Sequence, residues 1–211
     1  MKVDDTCQKT LEAFFGHTTF RPNQEQIVED LLAGRDVLAV MATGGGKSLC
    51  YQLPAVLLGG TTVVVSPLIA LMKDQVDDMN RQGISAALLT SNQTYDQRKA
   101  VEAELHDGSI AILYVSPERL SLPAFQELLC TINPKLFAID EAHCISQWGH
   151  QFRKDYRSLS LIRDRFPDTP IIALTATATE EVREDIITQL RLRTPKRYVG
   201  GFDRENITYT C

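Results

Sequence analysis

No apolar run in this 211-residue chain approaches the roughly 18 residues needed to cross a bilayer. Its start, MKVDDTCQK, has neither the basic head nor the apolar stretch of a secretion signal. The five cysteines (Cys7, Cys50, Cys130, Cys144, Cys211) are an odd, scattered set with no CxxC pair. That argues against a disulfide framework or a zinc ribbon, and for a reducing compartment. A soluble, cytoplasmic protein with no membrane contact is expected. Basic residues are also in deficit, 22 against 27 acidic, for a net charge of −5. A wholesale electrostatic grip on nucleic acid shows as a strongly basic domain, so any such contact has to come from a local groove. Low-complexity segments, internal repeats and dividing linkers are all missing.

What the chain does have is a regular rhythm. Short apolar runs recur at Asp36–Met41, Thr61–Ser66, Ala86–Thr90, Ser109–Ser116, Lys135–Asp140 and Pro170–Thr175. Each is of strand length and apolar on successive residues, the pattern of strands buried on both faces. Between them lie segments with helical spacing: Pro22–Ala33, Lys47–Leu58, Leu68–Gln82, Tyr95–His106, Pro117–Cys130 and Glu180–Leu190. The alternation predicts an α/β domain with a mostly parallel sheet of about six to seven strands and helices on both faces. Right-handed crossovers then bring every strand's C-terminal end to one edge, where ligands bind.

The first strand runs directly into ATGGGKS (Ala42–Ser48) and a helix. Glycines let the backbone curl so that its N–H groups face an anion, and a helix N-terminus adds a positive dipole end. Thr43, Gly44, Gly45 and Gly46 are the expected cradle, Lys47 reaches the β- and γ-phosphates, and Ser48 offers a hydroxyl to Mg²⁺. Met41 stands where the general G-x-x-x-x-G-K-[ST] pattern has its leading glycine. A second apolar strand ends in AIDEAH. There Asp140 is placed to hold Mg²⁺ and Glu141 to deprotonate an attacking water. The combination points to NTP hydrolysis, with Lys47, Asp140 and Glu141 as catalytic candidates. A zinc reading of His143, Cys144 and His150 has too few ligands for a structural site.

In their order, these motifs resemble the RecQ-type DNA helicases of helicase superfamily 2, from about Phe14 to Thr210. FRPNQEQI (Phe20–Ile27) is similar to that family's adenine-reading segment and MATGGGKS to its motif I. VVSPLIALMKDQV resembles motif Ia, SPERL motif Ib, DEAHCISQWGHQFR motif II with its aromatic-rich loop, ALTATAT motif III, and FDRENI the run toward the second lobe. The resemblance implies a RecA-like P-loop domain, ATP and Mg²⁺ as cofactors, and single-stranded or partially duplex DNA as partner. Gln24 would read the adenine edge and Arg21 stack on the base, with His17 in place of the family's usual aromatic. Trp148 and Phe152 would stack DNA bases, beside phosphate contacts from Arg153, Ser66, Lys73, Ser116 and Arg119. From Cys144 to Arg165, five Arg or Lys stand against two Asp. His143, Thr175 and Thr177 would couple nucleotide state to DNA. Bacterial members would associate with the nucleoid.

On this reading residues 1–211 form the first helicase lobe, with the second lobe, zinc and winged-helix modules outside the chain. The competing readings are an RNA helicase of the DEAD or DEAH type, an ATP switch or P-loop kinase, and a nucleic-acid binder without hydrolysis. The WGH-containing loop, the chain's extent and the intact Lys47, Asp140 and Glu141 respectively argue against them.

Overall fold

A computed structural model describes residues 5–90, 92–148 and 153–200, the side chains of Lys154 and Arg157 excepted. Among the described residues, the six expected runs form strands β1 (Val37–Val40), β2 (Thr62–Val65), β3 (Ala86–Leu89), β4 (Ile112–Val115), β5 (Leu136–Ile139) and β6 (Ile171–Thr175), and a seventh, β7 (Lys196–Val199), follows. They form one sheet in the order β3-β4-β2-β5-β6-β1-β7. Every pairing is parallel, so the sheet is wholly rather than mostly parallel.

Among the described residues there are eight α-helices: α1 (Asp5–Phe15), α2 (Gln24–Leu32), α3 (Leu49–Leu58), α4 (Ile69–Arg81), α5 (Tyr95–His106), α6 (Pro123–Ile132), α7 (Ser160–Arg165) and α8 (Glu180–Leu190). Strand alternation sorts the two layers. Val63 and Val65 of β2 point into a core shared with α5, α6, α7 and α8. Val64, between them, points into a core shared with α2, α3 and α4. Helix α1 packs Cys7 and Leu11 against Val28, Leu49 and Leu53.

Two boundaries differ from expectation for local reasons. Pro22 does not open a helix, because Asn23 takes a left-handed conformation (φ 69°) and α2 starts at Gln24. The segment from Pro117 divides into a 3-10 turn (Pro117–Ser121) and α6. Leu122, ahead of Pro123, is held extended at φ −78°, ψ 123°, the conformation a following proline imposes. Helix α1 carried no sequence expectation.

This topology positions the site. The phosphate loop leaves β1 and the acidic pair leaves β5, with β6 between them. Two strand spacings separate the two motifs by about 10 Å, and Thr175 at the end of β6 lies across that gap, paired with Val40.

Candidate nucleotide-binding site

The loop Ala42–Ser48 is closed by its own backbone, Gly45 N–H donating to Ala42 O at 2.9 Å. Glycine is required twice. A Cβ on Gly45 would stand 2.8 Å from Ala42 O, and Gly46, at φ 79°, lies against the Gln24 amide. Gly44 also has positive φ, and Thr43 and Gly44 are exposed at the tip. Lys47 folds back over the loop, its Nζ donating to Met41 O at 3.1 Å and Ala42 O at 3.5 Å. The ammonium is thus held over the concavity without a carboxylate partner in the loop.

Segment 20–24 grips the loop from outside. Gln24 is buried; its Nε2 donates to Gly46 O at 3.0 Å and its Oε1 accepts from Arg21 N–H at 2.8 Å. The Arg21 guanidinium donates to Gly44 O. Both side chains expected at the base are therefore engaged with the phosphate loop. His17 is exposed and lines a different groove, of about 200 Å³, with Phe15, Ser48, Leu49 and Gln75.

Across the gap, Asp140 sits at the tip of β5. Ser66 Oγ donates to its Oδ2 at 3.3 Å and Glu141 N–H to its Oδ1 at 3.0 Å. Burial, then the neighbouring Glu141 charge, raises the Asp140 pKa above the ordinary carboxylate range, against the opposing pull of Lys47 and these hydrogen bonds. Asp140 and Ser48 line one cavity of about 20 Å³, room for roughly one water-sized occupant.

Glu141 has φ 47°, a left-handed conformation that turns the chain sharply off the strand. His143 Nδ1 lies 3.3 Å from Glu141 Oε2 and 2.8 Å from Thr175 Oγ1. Thr175 donates its hydroxyl proton to Thr177 O at 3.1 Å, so His143 Nδ1 joins Glu141 to the Thr175–Thr177 pair. Glu141, His143, Cys144, Arg153 and Thr177 line a single pocket of about 240 Å³, closed by Pro67 and Leu68.

The residues expected at DNA separate into three groups. Trp148 (76% exposed), Lys73 and Arg153 are open to solvent. Arg153 is anchored by its N–H to Cys144 O at 2.9 Å. Ser66 and Arg119 need correction. Ser66 is 2% exposed and its hydroxyl is directed at Asp140, so it supports the acid rather than a phosphate. Arg119 is 7% exposed, lies over the Phe125 ring at 5.5 Å and donates to Thr90 O at 3.3 Å. Burial, and next the charge of Arg98, lowers its pKa, and the guanidinium is packed away from the surface. Ser116 is likewise buried. Phe152, His150 and the FDRENI run lie outside the described residues. Among the described residues, no group of three or more His, Cys, Asp or Glu could hold a metal, and no helix is long and apolar enough to cross a membrane.

The DEAD/DEAH box helicase family profile matches residues 21–186, most of the chain. The chain belongs to the DEAD/DEAH box helicase family. Within it, the chain is 49% identical over 208 residues to the ATP-dependent DNA helicase RecQ of Pasteurella multocida, covering 99% of this chain and 33% of that protein. It is 45% identical over 205 residues to the RecQ of Bacillus subtilis, covering 96% and 35%. This chain therefore spans about a third of the length of these relatives. The fold matches the DUF1998 helicase MrfA bound to DNA and AMPPNP, with a TM-score of 0.73, 18% identity and coverage of 95% of this chain and 29% of that one. These relatives are named as enzymes that spend ATP on DNA.

Sequence reasoning missed three buried tyrosines behind this helicase site. Tyr156 donates to Asp140 O at 3.0 Å, and Tyr51 and Tyr114 line the Ser48–Asp140 cavity. Only Tyr51 had a signal: it falls three residues after Ser48, on the same helical face.

Proposed function

We propose that this chain is the first motor lobe of a RecQ-type DNA helicase that binds Mg-ATP and couples its hydrolysis to DNA unwinding. The observation that carries the reading is the meeting of Ser48 and Asp140 in one cavity, with Lys47 on the loop beside it and Glu141 at the head of the adjacent pocket. The donors suit a hydrated Mg²⁺: a hydroxyl and a carboxylate are hard oxygen ligands, and the cavity admits about one small occupant. When bound, Mg²⁺ neutralises phosphate charge.

The chain's own residues do the rest. The glycine loop and Lys47 hold the phosphates, and Ser66 and Tyr156 fix Asp140 from two sides. Glu141 accepts a proton from water at its carboxylate, while His143 ties that carboxylate to Thr175 and Thr177. Trp148 offers an exposed face to a base, and Arg153 and Lys73 offer charge to phosphates. Because Arg153 and Glu141 share a pocket, DNA held there bears on the residue that activates water. A second lobe elsewhere in the protein supplies the opposing arginine, typically worth 10³–10⁵ in rate; alone, this lobe is a weak ATPase. The setting in DNA repair and recombination rests on the resemblance.

The test is ATP hydrolysis by the full-length protein with single-stranded DNA, duplex DNA and RNA in parallel. Stimulation by single-stranded DNA well above RNA supports the reading. Stimulation by RNA alone, or none by any polymer, overturns it.

A further inference from the structure

Behind the Ser48–Asp140 cavity lies a polar row that neither phosphate binding nor water activation uses. Tyr51 is 3% exposed and Tyr114 1%. Their rings meet edge-on, with centroids 6.5 Å apart. Tyr51 falls one helical turn after Ser48, and both line the same cavity as Tyr114 and Asp140. Gln52, also buried, donates through Nε2 to Tyr114 Oη at 3.4 Å and to Gln75 Oε1 of α4 at 2.8 Å. A tyrosine hydroxyl buried this deeply needs a reason, since phenylalanine fills the same volume without a group to satisfy.

The reason follows from the chemistry of Ser48. A serine that ligates a cation gives its oxygen lone pair to the metal, so its proton must point away toward an acceptor. A carboxylate would serve, but the Asp140 Oδ2 lobe already accepts from Ser66. Tyr51 lines the cavity beside Ser48, its ring edge-on to that of Tyr114, whose hydroxyl Gln52 holds in turn.

We propose that Tyr51 is a positioning residue for the cation: it takes the Ser48 proton, turns the serine oxygen into the cavity, and is itself held by Tyr114 and Gln52. This rests on the Mg-ATP reading of the site.

The experiment measures the affinity of a fluorescent ATP analogue (N-methylanthraniloyl-ATP) against Mg²⁺ concentration for Tyr51→Phe, Tyr114→Phe, Ser48→Ala and the Tyr51→Phe/Ser48→Ala pair, each with its melting temperature. Tyr51→Phe is expected to raise the Mg²⁺ needed for half-maximal affinity about three- to tenfold, the range for one lost hydrogen bond. Nucleotide affinity in EDTA stays unchanged. Tyr114→Phe shifts it the same way but less, and the pair shows no more than Ser48→Ala alone. If Ser48→Ala raises the Mg²⁺ needed for half-maximal affinity and Tyr51→Phe leaves it at the wild-type value, the positioning role is wrong while the site stands. If Ser48→Ala itself changes nothing, the Mg-ATP reading of the cavity falls first. Additive effects in the pair would place Tyr51 outside the Ser48 interaction and likewise overturn the inference.

Discussion

The Arg163 guanidinium donates to the Asp36 carboxylate at 2.6 Å, at the sheet edge opposite the phosphate loop. Asp36 also accepts from Ile171 N–H at 2.9 Å and Arg193 N–H at 2.6 Å. Arg163 reaches the Phe166, Pro167 and Thr169 carbonyls as well. The pair thus fastens the entries of β1, β6 and β7. Asp36→Ala leaves Arg163 buried without its charge partner, and breaking such a pair costs about 3–5 kcal/mol. Urea unfolding is expected to show that loss, with nucleotide affinity of the folded variant retained. A change under about 1 kcal/mol would show the pair to be incidental.

Lys47→Ala removes the point charge held over the loop by Met41 O and Ala42 O. ATP hydrolysis is expected below about a tenth of wild type, since ~1.4 kcal/mol is already tenfold, with an unchanged melting temperature. Hydrolysis above that level would place the phosphate cradle elsewhere.

Glu141→Gln keeps the shape of the side chain and loses its proton-accepting charge. Nucleotide binding is expected to persist while turnover stops. Normal turnover would leave Glu141 as the residue that merely turns the chain off β5.

Trp148→Ala tests the exposed ring. At 76% exposure its truncation is expected to cost under about 1 kcal/mol of stability. DNA-stimulated hydrolysis is expected to fall more than basal hydrolysis, by the ~1–3 kcal/mol of one stacked base. A collapsed melting temperature with an unchanged ratio of stimulated to basal rates would make the ring a packing element.

Cysteine labelling reports the layers. Burial pushes the Cys50 thiol up to about 12 and the Cys7 thiol to about 11, which leaves little thiolate at neutral pH. Cys130 is exposed. With maleimide at pH 7.5, Cys130→Ser is expected to remove one fast equivalent, whereas Cys50→Ser leaves the fast count unchanged until the protein unfolds.

Strands β1 to β6 were legible because burial on both faces writes itself as unbroken apolar runs, as in Val63–Val65; β7, largely exposed, carries no such run. Helices α5 and α8 were legible at both ends; Thr94 and Thr179 cap them, accepting from Gln97 and Val182 N–H. Glycine and lysine of the loop, and the acid pair after β5, were readable because phosphate chemistry demands them in that order. What was not readable was side-chain direction. Ser66 and Arg119 sit in motifs at the ligand edge, yet one turns to Asp140 and the other under Phe125. A motif places a residue on an edge, and only packing decides which way it faces. The tyrosines behind the cavity were hidden for the same reason: in sequence, Tyr114 is one more apolar letter of β4.

The placement of the Asp36–Arg163 pair also bears on how such a protein can change. Its fastening lies at the entries of β1, β6 and β7, and the phosphate loop leaves the other end of β1, so the two are open to separate adjustment. Substitutions that harden the Asp36 end against heat need not slow the loop movements that nucleotide exchange requires. A lineage, or an engineer, can shift this lobe's working temperature while leaving its chemistry alone.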